Sequence, residues 1–194
     1  MNRIALSGLL AICLLASGFS EDGRWIIDPL SNLTIHGSTN INNFTCTTGS
    51  YSGADTLNYI KNYTACELQF SRNRMSIPVD DFDCGARQIS KDFRKTLKST
   101  LYPQLFIQFR SLRTTAIKNN TYVVGVADIT LAGVTKCFTI RYKVELKDKN
   151  TVLLRGSQVA NFADFNLIAP ERLNGLIKVR ENLQVEFNLV LKGG

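Results

Sequence analysis

"VTKCFTIRYKVEL", Val134 to Leu146, alternates along nearly its whole length. Val134, Phe138, Ile140, Tyr142, Val144 and Leu146 share one parity, and Thr135, Cys137, Thr139, Arg141, Lys143 and Glu145 share the other. A strand sends successive side chains to opposite faces, so this stretch reads as a long β-strand with one apolar and one wet face. The pattern recurs near the C-terminus, where Leu183, Val185, Phe187, Leu189 and Leu191 oppose Gln184, Glu186, Asn188 and Lys192. Leu105, Ile107 and Phe109 make a third apolar face, and Met75, Ile77 and Val79 a fourth. Leu33 with Ile35, Leu68 with Phe70, and Val152 with Leu154 give shorter ones. The parity slips around Asn42–Asn43 before Phe44 and Cys46, as a β-bulge would make it do.

One segment keeps a different period. In "ISKDFRKTLK", Ile89 to Lys98, the residues Ile89, Phe93 and Leu97 fall on one side of a helical projection, with Arg87, Lys91, Arg94, Lys95 and Lys98 opposite. Ser90 is placed to cap this short amphipathic helix and Asp92 to sit in its first turn. The cationic stripe Lys91, Arg94, Lys95 and Lys98 suits a lipid head group or an anionic membrane surface. About eight or nine strands and one helix leave an antiparallel barrel or a sandwich. The immunoglobulin pattern is missing, because Trp25 precedes both candidate cysteines of an inter-sheet bond. A closed barrel removes exposed strand edges, and about eight strands leave room inside for a small or elongated ligand.

The first twenty residues have a separate logic. Met1–Asn2–Arg3 is followed by an apolar run from Ile4 to Ala16 and then by small residues. This is the layout of a secretory signal peptide, too short in its apolar core to span a bilayer. Cys13 lies in that run, but Ile12 stands where a lipobox needs a small residue. The expected organisation is a signal peptide over residues 1–20, one domain over residues 21–194, and export to the periplasm or the medium. The leader carries Arg3 and no acid, so its removal lowers the +7 formal charge by one. A basic exported domain meets anionic lipid, polysaccharide or acidic protein, and no nucleic acid partner is expected.

Cys46, Cys66, Cys84 and Cys137 remain, an even count that suits two disulfides in an exported chain. Counting one strand per pass of a barrel brings all four to one rim. That favours Cys46–Cys66 with Cys84–Cys137, the rival being Cys46–Cys84 with Cys66–Cys137. His36 is the sole histidine and falls on the polar side of its strand. There is no Ser/His/Asp set, no glycine-rich phosphate loop and no carboxylate cluster at metal-ligand spacing, so neither catalytic residues nor a metal or cofactor is expected.

Four segments, in order, resemble the YceI-like family of exported lipid-binding proteins. They are "WIID" (Trp25–Asp28), "SKDFRKTLKSTLYPQLFIQF" (Ser90–Phe109), "GVADITLAGVTKCFTI" (Gly125–Ile140) and "DFNLI" (Asp164–Ile168). The resemblance implies an all-β, lipocalin-like antiparallel barrel with a helix, enclosing an apolar tunnel for a polyisoprenoid-type lipid. It departs from the family at Pro29–Leu30–Ser31–Asn32 and at "VDDFDCGARQI", Val79 to Ile89, where many members carry histidine-containing polar clusters. The expected tunnel wall is the apolar parity: Phe44, Met75, Leu105, Ile107, Phe109, Phe138, Ile140, Tyr142, Val144, Leu183, Val185 and Phe187. A carrier or sequestering protein for a long-chain isoprenoid or similar lipid follows. The alternative is a ligand-free barrel, filled by its own aromatic side chains, whose surface binds a protein or glycan. The oligomeric state is left open by the sequence.

Overall fold

The computed structural model describes residues 21–53, 55–71, 74–117 and 120–194. The expected signal peptide lies outside the described residues. In chain order the elements are strands β1 (Glu21–Ile27), β2 (Asn32–Ser38), β3 (Asn43–Thr48), β4 (Thr56–Asn62), β5 (Glu67–Phe70), β6 (Arg74–Pro78) and β7 (Phe82–Asp83). Helix α1 (Arg87–Thr96) follows, then β8 (Gln104–Ile117), β9 (Asn120–Leu131), β10 (Val134–Leu146) and β11 (Thr151–Asn161). A two-residue hairpin, β12 (Glu171–Arg172) and β13 (Ile177–Lys178), precedes β14 (Asn182–Gly193).

The strands close into an antiparallel ring in the order β1-β4-β5-β8-β9-β10-β11-β14 and back to β1. Two long strands change partners partway. β14 bonds β1 at Leu191–Gly193 and β2 at Gln184–Asn188. β8 bonds β5 at Ser111–Arg113 and β6 at Gln104–Gln108, with a register shift between Phe109 and Ser111. The barrel therefore has two unlike ends. At the floor the ladder runs all the way round. At the other end the wall continues from β14 through β2, β3 and β7, and from β8 through β6, and no ladder joins β3 to β6 among the described residues.

Several devices hold that seam. β7 pairs with β3 at Thr47–Asp83 and Thr48–Phe82, and the Cys46–Cys84 disulfide lies beside it. On the free edge of β6 the Ser76 amide donates to Asp55 Oδ2 at 3.2 Å, and the Tyr51 hydroxyl donates to the same carboxylate. Burial, and then Asp55, push the Tyr51 hydroxyl well above the ordinary tyrosine range. Helix α1 lies over this end, with the Phe93 and Phe82 rings 5.4 Å apart.

The helix differs from its expected form. It runs Arg87–Thr96 with Ala86 at the N-cap, so Ser90 is not the cap. Ser90 is buried in the second turn, where its hydroxyl accepts the Cys84 amide at 3.0 Å and ties the preceding loop down. Phe93 and Leu97 are buried as expected, but Ile89 is 38% exposed. Asp92 does not sit in the first turn; it reaches Arg172 of β12.

The preferred cysteine pairing is overturned. Cys46 bonds Cys84, and Cys137 is free and exposed on the outer face of β10. Cys66 joins none of these three. The cause is β4, a strand absent from the sequence-derived count. Its inward residues Leu57 and Tyr59 alternate properly, but Ile60 is 49% exposed on the wet side and hides the pattern. The additional strand carries Cys66 to the β4–β5 turn at the floor end, away from Cys46 and Cys84.

The first strand is anchored by charge. The Asp28 carboxylate is buried, meets Lys192 Nζ at 2.6 Å and accepts the Leu30 amide at 2.9 Å. The Lys192 hydrogen bond, foremost, holds the Asp28 carboxyl below its ordinary 3.8. A depressed folded value contributes stability that is present above the unfolded value and is lost as pH falls through the folded one. Asp28→Asn is therefore expected to lower the urea midpoint at pH 7. The gap from the parent should close as the pH drops below 3.8. A gap that stays constant between neutral and acidic pH would show that the charge is not what matters.

Candidate apolar binding pocket

At the helix end the inward parity leaves a space of about 690 Å³, open solvent at its mouth included. β2 contributes Leu33 and Ile35, β8 Leu105 and Ile107, and β9 Ile129 and Leu131. Phe138 comes from β10, and Leu183, Val185 and Phe187 from β14. Phe82, Phe93 and Leu97 close the side under the helix. The segment after β11 supplies Phe162, Phe165 and Leu167.

Of nineteen lining residues only Gln158 and Asn161 have polar side chains. Asn161 is engaged elsewhere, capping the 3₁₀ turn Phe162–Phe165 in a reciprocal box with Asp164. No lining residue is ionisable. A surface of this kind takes hydrocarbon by removing it from water, and leaves any polar head group at the mouth.

Six of the twelve residues expected on the wall line this pocket: Leu105, Ile107, Phe138, Leu183, Val185 and Phe187. The others do not. Phe44 lies flat over Gly37, half-buried, where an added Cβ on Gly37 would meet its ring at 2.2 Å. Met75, Phe109, Ile140 and Tyr142 are buried in packed core, and Val144 is half-buried. The pocket is therefore blind rather than a tunnel. Tyr142, 1% exposed, packs over Gly125 and Gly156 of the two flanking strands, and a Cβ on either glycine would stand 2.7 or 2.6 Å from its ring. Its ring centroid is 6.4 Å from that of Phe187 at the pocket's inner end. Below it, Trp25, Tyr59, Phe70 and Phe109 form a chain of ring contacts with centroids 4.9–6.2 Å apart.

His36 is on the outer face of β2, with Nδ1 3.1 Å from Thr45 Oγ1 and Nε2 3.5 Å from Glu186 Oε2. The cationic stripe is narrower than expected. Lys91, Lys95 and Lys98 are exposed, but Arg94 folds back, donating to the carbonyls of Asp80 at 2.8 Å and Phe82 at 3.2 Å. It serves the joint between helix and seam rather than the solvent face.

Among the pocket residues that the strand alternation did not mark are Phe82, Phe162, Phe165 and Leu167. They sit on short irregular segments, where neither a period of two nor of 3.6 develops. The Asp164–Phe165–Asn166 run was the available signal. Asp164 caps, Phe165 meets Phe138 at 6.1 Å between centroids, and Asn166 takes the left-handed conformation at φ 53° that ends the turn.

Comparison with known proteins agrees with this architecture. The YceI-like domain family matches residues 61–191. No curated protein matches the chain by sequence. Among solved structures it is similar to a polyisoprenoid-binding domain from Saccharophagus degradans, with TM-score 0.58 and 13% identity over 90% of this chain and 100% of the other. It is also similar to BcnA of Burkholderia cenocepacia, with TM-score 0.55 and 15% identity over 82% of this chain and 95% of the other. A YceI protein of Campylobacter jejuni aligns with TM-score 0.50 and 14% identity, over 65% of this chain and 74% of the other. With the family matched across about two thirds of its length, and with an eight-stranded ring carrying one helix, the chain belongs to the YceI-like family.

Proposed function

We propose that this protein is a lipid carrier or sequestering protein, acting outside the cytoplasm, that holds the hydrocarbon of a polyisoprenoid or other long apolar chain in the helix-end pocket. The observation that carries the reading is the lining itself, without an ionisable side chain and walled by leucine, isoleucine and phenylalanine. Each CH₂ withdrawn from water contributes about 0.8 kcal/mol, so a chain needs no polar anchor to be retained. The similarity to a polyisoprenoid-binding domain points to the ligand class. The Cys46–Cys84 disulfide suits an oxidising compartment. Exposed Lys91, Lys95 and Lys98 face the anionic head groups of the membrane that supplies or receives the lipid.

Organic extraction of the purified protein followed by mass spectrometry tests the reading, which expects a stoichiometric lipid with a long apolar chain. Ala160 offers a control for location, because it lines the pocket and is only half-buried. Ala160→Trp should fold normally and lower the extracted lipid about tenfold or more, since displacing even two CH₂ groups forfeits about 1.6 kcal/mol. Lipid recovered at parental levels from a folded Ala160→Trp protein would place the ligand elsewhere. A lipid-free parent would favour a surface-binding module instead.

A further inference from the structure

Among the described residues, five of the seven most exposed large apolar side chains lie at the helix end: Ile41, Leu101, Ile168, Leu173 and Leu176, all between 66% and 85% exposed. Three of them share one platform. Ile41 is in the β2–β3 turn, and Leu173 and Leu176 bracket the turn of the β12–β13 hairpin. Asn40 stitches the two turns together. Its amide donates to the Lys178 carbonyl at 3.1 Å and its Nδ2 to the Leu176 carbonyl at 2.9 Å, while its Oδ1 accepts the Lys178 amide at 3.0 Å. The Arg180 amide adds a bond to the Ser38 carbonyl at 2.8 Å. Leu173 is held at φ 51°, a conformation that bulky residues avoid, and its side chain packs into no core. The double turn thus presents three large apolar side chains to water, none of which packs into the core.

The charge beside the platform identifies what covers it. Arg172 ties the hairpin to Asp92 of α1, and Lys178 pairs with Glu171, so the hairpin's own acid and the nearest helix acid are neutralised. Lys91, Lys95 and Lys98 are exposed and ion-pair with no acid among the described residues. Apolar tips flanked by unneutralised lysines match an interface whose outer layer is anionic and whose inner layer is hydrocarbon.

We propose that the helix end docks onto an anionic lipid bilayer, with Ile41, Leu173 and Leu176 entering the acyl layer and Lys91, Lys95 and Lys98 contacting head groups. The inference rests on the carrier reading only in that docking sets the pocket's mouth against the membrane.

The test is vesicle co-sedimentation of the full protein with phosphatidylglycerol/phosphatidylcholine vesicles, alongside extraction of co-purified lipid from the same preparations. The parent should sediment with anionic and not with purely zwitterionic vesicles. Lys91→Gln/Lys95→Gln/Lys98→Gln should weaken binding about a hundredfold at low salt, from about 1 kcal/mol per lysine near the surface, and the difference should shrink at high salt. Ile41→Ser/Leu173→Ser/Leu176→Ser should weaken binding at low and high salt alike while its co-purified lipid is unchanged. In Leu176→Trp, adding anionic vesicles should shift the emission of the new indole to the blue. Parental binding by the triple serine variant overturns the proposal, as does failure of the parent to bind. So does a protein dimer that the serine changes dissolve without any vesicle effect. A parent that binds vesicles but carries no lipid supports the docking and sinks the carrier reading instead.

Discussion

Tyr142→Ala is expected to cost about 3–5 kcal/mol of stability, the range for removing a large aromatic side chain from a packed core. The residue is 1% exposed and its ring fills a slot made by two glycines on the flanking strands, so neighbours cannot collapse into the space without moving β9 or β11. The hydroxyl contributes little to this. Burial alone drives it well above the ordinary tyrosine range. Tyr142→Phe should therefore stay within about 1 kcal/mol of the parent. Because the Tyr142 ring backs Phe187 at the pocket's inner end, the alanine variant gives the Phe187 ring room to turn and so deepens the pocket toward the floor. Lipid extracted from it should shift to longer chains. Urea unfolding of the two variants checks the first part and mass spectrometry the second. Equal stability of the alanine and phenylalanine variants would show that Tyr142 does not hold the barrel's middle together.

Breaking the Cys46–Cys84 bond is the second large effect. The bond spans 38 residues, and restricting an unfolded loop of that length is worth about 2–4 kcal/mol, toward the upper end. Both cysteines are buried, so alanine is the better replacement than serine, which would bury an unpaired hydroxyl. The double Cys46→Ala/Cys84→Ala protein should lose that stability and should release bound lipid faster, because the seam lies beside the pocket. A urea midpoint matching the parent's would mean that the seam is held by packing alone.

The strand faces were legible because burial on one side of a sheet imposes a period of two. β14 and β8 buried the parity that their sequences announced, and so did β10 up to Val144, with Leu146 64% exposed beyond it. The family motifs were legible as words but not as mechanics. The tyrosine of Tyr102–Pro103 lies against Gly133 of the Gly-Val-Thr-Lys turn, where φ is 80° and a Cβ would meet the ring at 2.7 Å. Asp28 holds Lys192, and Asp164 caps a turn. These are long-range or irregular contacts that no local period encodes. The cysteine pairing failed for a related reason. It depended on counting passes, and a single outward isoleucine at position 60 concealed one pass. The blindness of the pocket was hidden too, because inward parity says that a residue faces the interior and not whether the interior at that height is full.

The partner exchange along β8 and β14 makes this barrel a cup with a stiff base and a compliant lip. Swelling the base would stretch main-chain hydrogen bonds in every pair of a closed hoop. At the lip, dilation concentrates along one line, where a two-residue pairing, one covalent clasp and the Tyr51–Asp55–Ser76 latch stand in for a ladder. The flap of β2 and β3 hangs from β14 on one side and is fastened to β7 on the other by that pairing and that clasp. For the carrier proposed above, the girth of chain admitted would be governed by the clasp and its length by the packed core around Tyr142, so the two dimensions of ligand selectivity would reside in different halves of the wall.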